Sequence, residues 1–158
     1  MVVSETMLKW LMRIYPPLLF QRVWVKRFYK DFRGVEVKVF KSILNKNYNG
    51  TIFGGTIFAA ADPFLPVLFD RVLQSSERKL RIWSKSSQIN FLKPANTTLH
   101  FSVTLTDEYI NDAIQQLQLC GKYEKSFIVE ILNSKNEICA SLSNEVYIRD
   151  LNFKTLDQ

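Results

Sequence analysis

The sequence predicts an α+β fold, an antiparallel sheet of about five strands wrapped around a long central helix, with a helical extension at the N-terminus. The first observation behind this is the stretch TIFAAADPFLPVLFDRVL that follows Gly54-Gly55. It is apolar nearly all round and too long for a strand, so it reads as a buried helix. The second is a set of runs in which apolar and polar residues alternate, the period of a half-buried strand. The third is their order: helix, strand, long helix, two strands, short helix, hairpin, which lacks the alternation of a parallel βαβ sheet. With 158 residues, 47% of them hydrophobic, the chain holds enough for one core and too little for two.

Each element has its own warrant. Residues 6–15 place Met7, Leu8, Leu11 and Ile14 at helical spacing, with Ser4 or Thr6 as a cap and Pro16-Pro17 as the stop. A second helical piece is expected over residues 18–30. Val35, Val37 and Val39 then alternate with Glu36 and Lys38, which predicts a strand over 34–43, and NKNYNG after it is turn chemistry. The central helix should run from Thr56 to Leu73 and end near Gln74 to Ser76, with a kink at 59–63 because Pro63 and Pro66 free the carbonyls of Ala59 and Asp62. Strands follow at 80–92, 97–105, 126–132 and 137–149, the last two joined by the turn NSKN. Between the second and third of these, Thr106 caps a helix with the stripe Ile110, Ala113, Ile114, Leu117, and Gly121 closes it. The chain divides into an N-terminal helical arm at 1–33, a domain at 34–150 and a tail at 151–158.

Composition narrows the classes. Cys120 and Cys139 are too few for a disulfide framework and lie in no CxxC or Cys/His cluster, so neither structural zinc nor a secreted scaffold is expected. The start MVVSETMLKW lacks the pattern of a secretory leader, and Lys9, Arg13, Pro16, Pro17, Arg22 and Lys26 interrupt the apolar N-terminal region too often for a bilayer span. A cytoplasmic protein, soluble or at most peripheral, is the expectation. Residues 1–33 hold seven Lys/Arg against Glu5 and Asp31, a net +5 of the chain's +6. Trp10, Phe20, Trp24 and Phe28 lie among them, so residues 7–30 could touch an anionic membrane weakly or meet phosphates of a nucleotide-bearing substrate. A docked helix with a solvated basic face is the plainer reading. No nucleic-acid-binding signature accompanies the charge.

The chemistry-bearing block is Asn47-Tyr48-Asn49-Gly50-Thr51-Ile52-Phe53-Gly54-Gly55, with Asp62 seven positions beyond Gly55. It resembles the NxxGxxHGGxxxxxxD motif of hotdog-fold acyl-CoA thioesterases of the phenylacetate-degradation type, and Ile89-Asn90-Phe91-Leu92-Lys93-Pro94 is similar to the strand those enzymes place after the central helix. A poorly characterised hotdog branch, a domain of unknown function with FGG for HGG and a following DPF, resembles it more closely still. The resemblance implies a hotdog fold in a homodimer or dimer of dimers, without metal or other cofactor. It implies catalytic roles for Asp62 as general base or nucleophile, Gly55 as backbone donor and Asn47 as orienter. Gly54, Phe53, Phe58 and Lys93 would bind an acyl-CoA or related acyl thioester, Lys93 at the CoA phosphates.

General physics gives this a rationale and rivals. Unpaired N–H groups at a helix start polarise a carbonyl, so Gly54 and Gly55 could form an oxyanion site. The resemblance implies that Asp62 acts on the thioester held by the partner subunit's glycine turn, and the span of about 10 Å over seven helical residues is consistent with that arrangement. An apolar setting would make its carboxylate a better base. The glycines could instead supply positive φ or close packing, Asp62 could cap a helix that starts at Pro63, and Asn47 could be a turn residue. Phe53 stands where the motif has His, and the sole histidine, His100, is on the exposed phase of its strand. A hydrolase and a non-catalytic acyl-CoA or lipid-binding dimer therefore both remain open.

Overall fold

The computed structural model describes residues 3–74 and 78–153. The expected helix end at Ser75-Ser76 and the last five residues of the tail lie outside the described residues. Helix α1 (Glu5–Ile14) is capped by Ser4, whose Oγ accepts from the Met7 N–H at 3.2 Å. Pro16 opens the short helix α2 (Pro16–Phe20), where a missing N–H costs nothing.

The helix expected over 18–30 is corrected: after α2 the chain forms strand β1 (Val23–Phe28). Val23, Val25 and Phe28 are buried, but a bulge between Val25 and Arg27 shifts the register. The apolar spacing is therefore two and then three, which hides the strand period in the sequence. Strand β2 (Gly34–Val39) is shorter than expected, because Phe40 N–H bonds Arg22 O and the chain then turns at Ser42 to Asn45.

The apolar stretch forms two helices, α3 (Gly54–Ala61) and α4 (Phe64–Leu73), broken at Asp62-Pro63 within the expected kink. Strands β3 (Leu80–Phe91) and β4 (Leu99–Thr104), helix α5 (Asp107–Cys120), and the hairpin β5 (Lys122–Leu132) and β6 (Ile138–Asp150) complete the order. Thr106 caps α5 and Gly121 ends it at φ 69°, where the left-handed backbone favours glycine. All pairings are antiparallel, in the order β1-β2-β4-β5-β6-β3. The sheet has six strands rather than about five because β1 adds one.

The central helices lie on this sheet through α4. Phe64, Leu65, Leu68 and Phe69 are buried, with Phe64 edge-on to Phe101 of β4 and Phe69 against Tyr123 and Phe127 of β5. Each such side chain contributes about 1.5–3 kcal/mol of burial. At the β1 edge, Arg13 of α1 lies between the Trp10 and Trp24 rings and donates from Nε to Val25 O at 2.8 Å and from Nη2 to Lys26 O. It takes up carbonyls at the bulge that an edge strand would otherwise present. Strand β3 forms the opposite edge.

Candidate active site

The site begins at a turn that Asn47 pins. Its Nδ2 donates to Thr51 Oγ1 at 2.8 Å, its Oδ1 accepts from the Thr51 N–H, and its carbonyl accepts from Gly50, whose φ is 76°. Both ends of the Asn47 side chain are thus committed to the turn. Ile52 N–H bonds Ala95 O and Phe53 N–H bonds Asn45 O, which fixes the approach to α3. At its start the N–H groups of Thr56 and Ile57 both return to Phe53 O, while Gly54 and Gly55 precede the helical ladder and no side chain caps them. Their N–H groups, the first two of the helix, lie at the positive end of its dipole.

These pieces frame an open cleft of about 680 Å³ lined by Asn47, Thr51, Gly54, Ile57 and the segment Phe91 to Asn96. Of the residues proposed from sequence, Asn47, Gly54 and Lys93 come together there. Lys93 is engaged, its Nζ 2.7 Å from Glu137 Oε1, and Asn133 holds the other carboxylate oxygen. That carboxyl sits below its ordinary range because Lys93 and then Asn133 hydrogen-bond it. Phe58 is half-buried against the core rather than in the cleft.

Neither Gly54 nor Gly55 has positive φ, so the conformational reason for the glycine pair falls away. Close approach remains. A Cβ on Gly54 would stand 2.9 Å from Phe91 Cζ, and one on Gly55 would stand 2.4 Å from the Phe53 ring. Phe53 itself is 58% exposed and its ring lies against Gly55.

Asp62 sits at the break between α3 and α4, half-buried and in helical conformation. It does not cap α4, which has no side-chain cap, so the capping alternative is corrected. Its surroundings are also more polar than the apolar sequence around it suggests. Ser87 Oγ of β3 donates to Asp62 Oδ1 at 3.3 Å, and Ser84 Oγ and Asn144 Nδ2 reach its main-chain carbonyl at 3.5 and 3.1 Å. Asn144 is fully buried and its Oδ1 has no partner among the described residues. Sequence reasoning missed Ser84, Ser87 and Asn144. The signal was the register, which places Ser87 opposite Asn144, beside the carbonyl that Pro66 frees.

His100, expected on an exposed phase, is half-buried on β4 opposite Lys38 and Leu132. Among the described residues no group of three His, Cys, Asp or Glu side chains comes together to hold a metal ion. The basic arm is more committed than its sequence suggests: Arg13 is bound at the β1 bulge, and Lys26 and Arg27 pair with Glu36. No helix among the described residues is long and apolar enough to cross a membrane.

Six antiparallel strands behind a central helix, with paired glycines at its N-terminus, define a hotdog-fold protein. The chain belongs to the family described as a domain of unknown function (DUF4442), whose model matches residues 4–148. No curated protein matches it in sequence. Among solved structures, a protein of unknown function from Pseudomonas aeruginosa described as a probable thioesterase aligns at TM-score 0.81 and 17% identity, covering 93% of this chain and 97% of that one. A thioesterase from Haemophilus influenzae aligns at TM-score 0.68 and 12% identity, covering 95% and 93%. The PaaI protein of the phenylacetic acid degradation operon of E. coli aligns at 0.62 and 14%, covering 91% and 95%. At these identities the likeness is one of fold.

Proposed function

We propose that the protein is a hydrolase of acyl-CoA or related acyl thioesters that works as a homodimer or dimer of dimers in the cytoplasm. The observation that carries the reading is the start of α3, where the N–H groups of Gly54 and Gly55, without a hydrogen-bond partner among the described residues, stand beside a cleft of about 680 Å³. A thioester carbonyl placed there gains two backbone donors and the helix dipole as negative charge develops on its oxygen. Asp62, about 10 Å further along the helix, is too far to serve the same carbonyl. In this reading it serves the thioester held by the partner subunit, activating water or attacking directly, with Ser87 orienting the carboxylate. Association through the β3 edge, the edge opposite the one Arg13 covers, would bring the two halves together.

One observation favours a second reading, a non-catalytic acyl-CoA or lipid-binding dimer: the Phe53 ring occupies the position beside Gly55 where the resembled motif has His. Thiol release from an acyl-CoA panel separates the two, since the hydrolase turns over and the binder shows affinity alone. Light scattering at micromolar concentration tests the shared site, because a monomer that still hydrolyses the thioester removes the crossed arrangement.

A further inference from the structure

At the end of the sheet where β1 begins and β2 ends, two separate segments set apolar side chains side by side on the surface. Leu19 and Phe20 close α2, and Phe40, Ile43 and Leu44 follow β2. Phe20, Ile43 and Leu44 are 67%, 87% and 63% exposed. Leu19, Arg22, Trp24 and Phe40 line a groove of about 390 Å³ between them.

The corner is built rather than loose. Asn45, buried to 3%, donates from Nδ2 to both Gln21 O and Phe40 O at 2.9 Å, and its Oδ1 accepts from the Ser42 N–H at 2.9 Å. The Leu44 N–H is held by Ser42 Oγ, and Lys41 Nζ reaches Asn96 O. Two aliphatic residues thus stand in a turn that Ser42 and Asn45 pin by hydrogen bonds. A turn tip facing only water would more commonly carry polar residues.

Charge selects the occupant. No Asp or Glu occurs in residues 6–30 or 37–61, the stretches that build the corner, while Arg22 lines the groove and Lys41 and Lys46 flank Ile43 and Leu44 along the chain. Among the described residues neither Arg22 nor Lys46 has an acidic partner. Exposed aliphatic and aromatic side chains beside cations without an acidic partner match a bilayer, where acyl chains receive the apolar groups and phosphates receive the cations. A second copy of this chain presents no acidic counterpart at the same corner, and the corner lies off the sheet edge opposite β3. We infer that this corner, formed by Leu19, Phe20, Phe40, Ile43 and Leu44 with Arg22 and Lys46, docks on an anionic phospholipid surface. The groove continues into the arm, because Trp24 meets Trp10 edge-on, and docking there needs no hydrolysis at Asp62.

The test is sedimentation of the full chain with vesicles of phosphatidylcholine with and without phosphatidylglycerol, together with light scattering. The wild type should bind only the phosphatidylglycerol vesicles, and binding should fall as added salt shortens the screening length below about 10 Å. Ile43→Ser with Leu44→Ser, both exposed and therefore neutral to folding, should weaken binding on the order of 10²-fold. Arg22→Gln with Lys46→Gln should weaken it about fivefold per charge. Absence of vesicle binding, equal binding to neutral vesicles, or unchanged binding by the Ile43/Leu44 variant overturns the inference. So does a change of oligomeric mass in that variant, which would assign the corner to a second copy.

Discussion

The buried amide of Asn144 donates at 3.1 Å to the main-chain carbonyl of Asp62, the group that Pro66 deprives of its helical donor. Asn144, joined by Ser84 Oγ at 3.5 Å from the same carbonyl, thereby holds the break that separates α3 from α4. Replacing it by Leu, of similar size, should cost about 1 kcal/mol, the scale of one hydrogen bond, because Ser84 Oγ remains at 3.5 Å from the same carbonyl. Pro66→Ala returns an N–H four residues after Asp62, so the double variant should recover part of that loss. Chemical denaturation of the four chains measures the coupling. Strictly additive losses would show that Asn144 and Pro66 do not act on the same carbonyl.

Asp62→Asn isolates the carboxylate. The side chain makes no helix cap and its main-chain carbonyl stays with Asn144, so fold and oligomeric state should survive. Under the hydrolase reading, turnover should drop by roughly 10²- to 10⁴-fold, the usual scale for losing a general base. Ser87→Ala, which removes the hydroxyl at 3.3 Å from Asp62 Oδ1, should lower kcat by less while leaving KM near its starting value. An active wild type whose rate persists in a folded Asp62→Asn protein would end the catalytic assignment.

The glycine pair can be tested by filling it. The Gly54→Ala Cβ meets the far end of Phe91, and the Gly55→Ala Cβ meets Phe53, both side chains more than half exposed and able to move. Alanine also favours the helix by about 0.5–1 kcal/mol over glycine, so both variants should melt within about 1 kcal/mol of the wild type. Gly54→Ala should push Phe91 within the cleft it lines and raise the KM for an acyl-CoA. Melting together with acyl-CoA titration checks this. A large stability loss without change in ligand affinity would make the pair purely structural.

The fold was legible where one physical signal dominated. The continuous apolar run at 56–73, the alternation of Leu99, Phe101, Val103 and Leu105, and the Thr106 and Gly121 caps each match the structure because burial and hydrogen bonding repeat at the period of the element. Strand β1 was hidden because a bulge broke its period. At the site, the Asn47 turn and the Gly54-Gly55 start were legible from local chemistry. Asn144, Ser84 and Ser87 were not, because what gives them meaning is the distant carbonyl freed by Pro66, brought near only by strand register. Ile43 looked like strand continuation for the same reason: the Asn45 bonds that stop the strand reach back to Gln21 and Phe40.

Glu36 on β2 gives a pH signature that is independent of any activity. It stands directly opposite Arg27 of β1, and Arg27, Lys26 and the Tyr29 hydroxyl all converge on its carboxylate. Hydrogen bonds from Arg27 first and Lys26 second hold its pKa down to about 2 from an ordinary 4.5. A carboxyl whose pKa is lower folded than unfolded contributes its full stabilisation above the unfolded value and loses it as pH falls toward the folded one. The contribution should therefore be complete at neutral pH and disappear between 4.5 and about 2. Because the Lys26 and Arg27 side chains are more than half exposed, solvent screening reduces it to about 1 kcal/mol. Glu36→Gln should accordingly be less stable than the wild type by about that amount at pH 7 and converge with it near pH 2, and added salt should shrink the gap. Denaturation of both chains across this range reads the difference directly. A gap that stays constant from pH 7 to pH 2 would mean that Glu36 stabilises the β1 and β2 pairing by packing rather than by charge.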